Sequence, residues 1–144
     1  MFQRILLAWD GSEASLRAYD VAIDLTRRYD AELVAASIAY SPAHAETAAD
    51  REESETAAQR YLEQTFLELR DRAERAGVQV EHDIIEGSEP ARALLDHAHA
   101  HAFDLIVCGH HHTRRAGRLL LHGVAEGLLS DGTIPLLIVS DSGR

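Results

Sequence analysis

Short, continuously apolar runs alternate along the chain with longer stretches in which apolar residues return at helical spacing. Arg4 to Trp9 is the first such run. It is closed by Asp10-Gly11-Ser12-Glu13, a turn that leads into a helix start. Ala18, Ala22, Leu25 and Tyr29 then recur with the helical period, while Arg17, Asp24, Arg27 and Arg28 fall mostly elsewhere, so this helix should lay one face on a sheet. Leu33 to Ala39 predicts a second strand. Ser41-Pro42 and a polar, Ala- and Glu-rich stretch to Glu55 follow, read as a loop or a frayed helix start. From Thr56 onward Leu62, Phe66, Leu69, Ala73 and Ala76 define a long amphipathic helix that Gly77 stops.

Val78, Val80, His82 and Ile84 alternate with Gln79, Glu81 and Asp83, the period of a half-covered strand, which places this segment at a sheet edge. Ser88-Glu89-Pro90 opens a third helix with proline in its first turn, and Ala91, Leu94, Leu95, Ala98 and Ala102 form its buried stripe. Asp104 to Cys108 is a fourth strand. After Gly109 a polar loop, His110 to Gly117, leads to a fourth helix through Leu128 and Leu129, and Ile134 to Val139 is the last strand. Strands separated by helices cannot pair as hairpins. The pattern therefore predicts an α/β fold, a single doubly wound five-stranded parallel sheet with right-handed crossovers and helices on both faces. No repeat or linker interrupts it, so residues 1–144 read as one domain.

Composition narrows the partners. With 14 basic and 24 acidic residues the formal charge is −10, so the surface repels nucleic acid and anionic membranes. Every basic residue is Arg, and the absence of Lys excludes mechanisms built on a lysine amine or a P-loop lysine. The single cysteine, Cys108, cannot form an internal disulfide and sits in an apolar run, which suits a reducing compartment. The first residues lack a signal-peptide layout and no apolar run approaches the about 18 residues of a membrane span, so a cytoplasmic protein is expected.

In a doubly wound sheet ligands bind beyond the carboxyl ends of the strands. Trp9-Asp10-Gly11-Ser12 ends the first strand, and Cys108-Gly109 followed by three histidines ends the fourth. If those strands are neighbours, Asp10 and Gly109 face each other across a crevice. Ile5-Leu6-Leu7-Ala8-Trp9-Asp10-Gly11-Ser12-Glu13 is close to the pattern I-L-V-A-V-D-G-S-E, and Asp104-Leu105-Ile106-Val107-Cys108-Gly109 to D-L-I-V-x-G. With Leu119-Leu120-Leu121 and the terminal Ile134 to Val139, in the same order and spacing, the chain resembles the universal stress protein family over essentially its whole length. The resemblance implies strand order 3-2-1-4-5 in a Rossmann-like, adenine nucleotide alpha hydrolase-like fold. It also implies a homodimer in which the last strand, Leu136, Leu137, Ile138 and Val139, pairs with its copy, and ATP or AMP as the candidate ligand.

The nucleotide-binding members carry G-x-x-G, nine residues, then G-[S/T], whose backbone amides hold phosphates. Here Gly109 keeps the first position, but His112 replaces the second glycine, and after Thr113 to Leu121 the last two positions hold His122 and Gly123. Cys108-Gly109-His110-His111 instead resembles the C-G-H-H of the family's namesake branch, whose members lack the nucleotide motif. Asp10, at the adenosine-contact position, is retained. Trp9 replaces a small aliphatic residue and either fills the adenine space or packs in the core. The candidate nucleotide or anion crevice is thus Ala8, Trp9, Asp10, Ile38, Gly109, His110, His112, His122 and Gly123.

Each of these has a plainer alternative. His110, His111, His112 and His122 with Arg114, Arg115 and Arg118 form either an anion site or a solvated polar loop. Metal binding lacks the specific zinc spacings, and His97 and His101 flank the apolar stripe of their helix, so no metal is expected. Asp10 is a ribose or adenine contact, a helix cap in the manner of a capping box with Glu13, or both. No Ser-His-Asp or Cys-His arrangement is legible. The expected function is a non-enzymatic stress-response dimer with weak or absent ATP binding. The alternatives are an ATP- or AMP-binding sensor with a modified pocket between strands 1 and 4, and slow ATP hydrolysis or autophosphorylation, which the absence of Lys disfavours.

Overall fold

The chain was analysed as a computed structural model that describes residues 1–39, 48–110, 123–130 and 132–140. The elements are β1 (Arg4–Ala8), α1 (Glu13–Tyr29), β2 (Glu32–Ala39), α2 (Ala48–Arg75), β3 (Val80–Glu86), α3 (Pro90–Ala100), β4 (Leu105–His110), α4 (Val124–Ser130) and β5 (Leu136–Ser140). All strand pairs are parallel and the sheet order is β3-β2-β1-β4-β5. This is the order that the resemblance implied, with β3 at one edge as its alternation required.

β1 is the central strand because it is apolar at every position that must be covered from both sides. Ile5 lies opposite Leu33 of β2 and Leu105 of β4, and Leu7 opposite Ala35 and Val107. Side chains alternate between two cores. Ile5, Leu7 and Trp9 meet Ala18, Tyr19, Ala22 and Ile23 of α1 and Leu69 and Ala73 of α2 on one face. Leu6 and Ala8 meet Leu94, Leu95 and Ala98 of α3 and Val124, Ala125 and Leu128 of α4 on the other. Asp104 brackets the start of the sheet, its carboxylate accepting from the backbone N–H groups of Gln3 at 2.8 Å and Arg4 at 3.1 Å.

Several boundaries differ from the sequence reading. α2 begins at Ala48, so from there to Glu55 the helix-start alternative holds, because this Ala- and Glu-rich stretch has high helix propensity and no glycine or proline follows before Arg75. The buried stripe of α1 runs through Tyr19, Ile23 and Thr26, leaving Leu25 half-buried and Tyr29 exposed. α3 stops at Ala100, so Ala102 lies outside its stripe with φ 55°, and Phe103 fills the core instead. Of the pair assigned to the fourth helix, Leu128 is buried and Leu129 exposed. The histidine and arginine positions from 111 to 122 lie outside the described residues. Among the described residues no helix is long and apolar enough to cross a membrane.

Candidate functional site

The register makes β1 and β4 neighbours, so Asp10, just past β1, and Gly109, near the end of β4, lie at the carboxyl ends of adjacent strands. Asp10 is 6% exposed. Its Oδ1 accepts from the Ser12 backbone N–H at 2.8 Å, an Asx-type turn that starts the descent into α1. The helix cap itself is Ser12, whose Oγ accepts from the Ser15 N–H at 3.2 Å; the capping-box reading of Asp10 is corrected accordingly. Among the described residues Asp10 Oδ2, which is buried, has no hydrogen-bond partner.

Gly109 has a structural duty of its own. A Cβ at this position would stand 2.3 Å from the Ala14 carbonyl oxygen and 2.5 Å from its carbon, so glycine is what lets the first turn of α1 lie against β4. Gly123 is glycine for another reason, its φ of +76°, with open space where a side chain would begin. It lines a cavity of about 490 Å³ with Ser88, Glu89, Pro90, Arg92 and Val124 between the starts of α3 and α4. Neither Asp10 nor Gly109 lines that cavity. A larger one, about 560 Å³, is lined by Asp30, Glu32 and Gly77, at the opposite end of the strands from Asp10.

Trp9 packs in the core, 4% exposed, edge-on to Tyr19, with its indole Nε1–H donated to Thr65 Oγ1 of α2 at 3.2 Å. Burial pushes the Tyr19 hydroxyl up to about 12, with Asp20 adding to the effect. Ala8 and Ile38 are covered on the opposite face by the α3 and α4 core. His110 ends β4 with its Nε2 3.0 Å from Glu126 Oε1 of α4, which puts a carboxylate on the wall where an anion was considered. His112 and His122 lie outside the described residues.

The other histidines among the described residues are engaged within the fold. His97 lies 2.8 Å from the Asp83 carboxylate and 4.4 Å, ring to ring, from His101, which is the C-cap of α3. Among the described residues no cluster of His, Cys, Asp and Glu could hold a metal ion. Cys108 is buried, and desolvation, with the charge of Glu126, pushes its thiol up to about 12.

Sequence reasoning missed Ser37, Thr65, His82 and Glu126. Ser37 had a signal: a lone hydroxyl inside the apolar run of β2 must find partners once buried. It is 0% exposed, its Oγ–H is donated to the Trp9 carbonyl at 2.8 Å, and His82 Nε2 lies 2.8 Å from the same oxygen. His82 is stacked on Phe66 of α2 at 4.3 Å, and burial holds its pKa below the usual imidazole value against the opposing pull of Asp83 and Glu63.

Comparison with known proteins gives a match to the family model described as universal stress protein family over residues 1–140. Universal stress protein YxiE of Bacillus subtilis is 31% identical, with 96% of this chain and 99% of the relative covered. The crystal structure of a universal stress protein in complex with cAMP is 30% identical with a TM-score of 0.73, covering 96% of this chain and 97% of that one. Hypothetical protein MJ0577, 19% identical, shares the fold at a TM-score of 0.84 over 100% of this chain and 99% of its own.

Proposed function

The chain belongs to the universal stress protein family, and on that footing we propose that it is a non-enzymatic, cytoplasmic stress-response homodimer whose β1–β4 crevice grips the nucleoside part of ATP or AMP and holds the phosphates poorly. The observation that carries the nucleoside contact is Asp10 Oδ2. A buried carboxylate oxygen without a donor is costly, and a ribose hydroxyl or an amine would supply the missing hydrogen bond. The cAMP complex of a relative is consistent with such a ligand.

Weak phosphate binding follows from what surrounds it. Gly109 is accounted for by Ala14, His112 and His122 stand where the motif has glycines, and Gly123 offers no hydroxyl. Losing one or two charge-assisted bonds of about 1.5–3 kcal/mol each lowers affinity by about one to four decades. The non-enzymatic reading is supported by Cys108, whose burial keeps it a thiol rather than a nucleophilic thiolate. The dimer is supported by β5, an edge strand in which Leu136 to Val139 are only partly buried, a surface that favours pairing with a second copy.

Calorimetric titration of refolded, ligand-free protein tests the ligand. Adenosine, AMP and ATP should bind with similar, modest affinity, and Asp10→Asn should weaken all of them, since it places an N–H₂ where the ligand's donor must go. Low-micromolar ATP binding with far weaker adenosine overturns this reading in favour of a nucleotide sensor. Light scattering that finds a monomer at high micromolar concentration overturns the dimer.

A further inference from the structure

Ser37 is fixed by a choice its neighbours make. The Trp9 carbonyl can only accept, so the 2.8 Å contact requires the Ser37 hydroxyl proton to point at it. Ser37 Oγ then has only lone pairs for His82, and at 2.8 Å His82 Nε2 must carry a proton and donate it. The arrangement therefore selects the Nε2–H tautomer. The opposite tautomer would turn Nε2 into an acceptor, take the hydroxyl proton away from Trp9, and leave a buried carbonyl in competition for it.

The Trp9 carbonyl and the Asp10 N–H belong to one planar peptide group. Ser37 therefore holds the plane from which the Asp10 side chain departs, while the Trp9 N–H is held by the Ala36 carbonyl at 2.9 Å and the indole by Thr65. We propose that Ser37 and His82 are positioning residues for the crevice, the imidazole Nε2–H fixing the Ser37 hydroxyl so that the Trp9–Asp10 peptide stays oriented and Asp10 Oδ2 stays aimed at the donor of a bound nucleoside.

The relay runs inward from the sheet edge. His82 is on β3, stacked on Phe66, and lines a surface cavity of about 410 Å³ together with Arg60, Glu63 and Leu67. Its lowered pKa keeps it neutral near pH 7, where the choice of tautomer matters. The proposal rests on Asp10 being the nucleoside contact.

Two substitutions separate positioning from bulk packing. His82→Gln retains an amide donor for Ser37 and loses the ring, whereas His82→Phe retains the stack on Phe66 and loses the donor. Adenosine affinity, measured by calorimetry near neutral pH, should fall about tenfold in His82→Phe and in Ser37→Ala and stay within about twofold of wild type in His82→Gln. A long-range ¹⁵N–¹H spectrum of the wild-type protein should show His82 protonated at Nε2, with Nδ1 bare. A His82 found chiefly as Nδ1–H overturns the proposal. So do Gln and Phe variants that bind equally, whether both weakened or both unchanged. If Ser37→Ala fails to fold, the spectrum and the His82 pair still decide. A wild-type chain that binds no adenosine removes the Asp10 reading and this proposal with it, whereas the pattern of equal variants on a binding wild type removes the positioning role alone.

Discussion

Replacing Gly109 by Ala distinguishes two reasons for the same residue. As a remnant of a phosphate-binding motif, Gly109 is needed only when ligand is present, and an added methyl leaves the empty protein as stable as before. The packing gives another answer. The methyl carbon would lie 2.3, 2.5 and 2.9 Å from the oxygen, carbon and Cβ of Ala14, short of ordinary contact by about 1 Å. Two of those atoms are backbone, so no side chain can swing aside. The first turn of α1 is meanwhile pinned by the Ser12 cap and by the Asp10 turn, so the helix must shift as a body against β4. Forced displacement of this kind costs about 3 kcal/mol. For a chain of this size the thermal midpoint should fall by about 10 °C, with a matching drop in the urea midpoint and little change in slope. Both are measured on ligand-free protein by circular dichroism. A variant within about 0.5 kcal/mol of wild type would refute the packing argument and return Gly109 to the phosphates.

Folding leaves His82 neutral at a lowered pKa, so its contribution to stability is present above the unfolded value of about 6.5 and is lost as pH falls through the folded value. The wild-type advantage over His82→Gln in urea melts should shrink from about pH 7.5 to about pH 5; an advantage that grows in acid would mean that Glu63 and Asp83 outweigh burial and the nearby Arg60. Cys108, buried and with its thiol raised to about 12, should resist iodoacetamide in the native protein and react on unfolding, as followed by mass spectrometry; native labelling at the unfolded rate contradicts the core placement. A His112→Gly, His122→Gly variant should bind ATP more tightly than wild type in calorimetry. It keeps Gly123, because a serine there would have to adopt φ of +76°, and unchanged affinity would clear both imidazoles of blocking the phosphates.

Periodicity made the sheet legible because a parallel strand covered on both faces has to be apolar throughout, as Ile5 to Ala8 and Leu105 to Cys108 are. Alternation placed β3 at the edge for the converse reason. Boundaries were less legible where two tendencies compete. Ala48 to Glu55 is rich in helix formers but carries no apolar stripe, so periodicity was silent while propensity extended the helix. At the site, sequence spacing put Asp10 and Gly109 at the ends of two strands that are adjacent in the sheet and could not divide them by role. It takes the position of Ala14 to show that one glycine is a packing requirement, and the register of β2 with β3 to show that Ser37 and His82 meet.

Most of the residues that suggest a ligand are already occupied within the fold. Asp104 holds the start of β1, Ser12 caps α1, Gly109 admits Ala14, Trp9 is bonded to Thr65, and His110 faces Glu126. Among the described residues of the crevice, Asp10 Oδ2 is buried without a hydrogen-bond partner. An acceptor of negative charge selects a donor, and a phosphate is the wrong partner for it. The net charge of −10 adds a field that disfavours a polyanion over a neutral nucleoside. Under the function proposed above, the crevice would respond to the sugar or base of its ligand and be nearly indifferent to how many phosphates follow. Its selectivity would then depend on how firmly the Trp9–Asp10 peptide is held, and Ser37 bonds that peptide while itself in contact with an imidazole at the edge of the sheet.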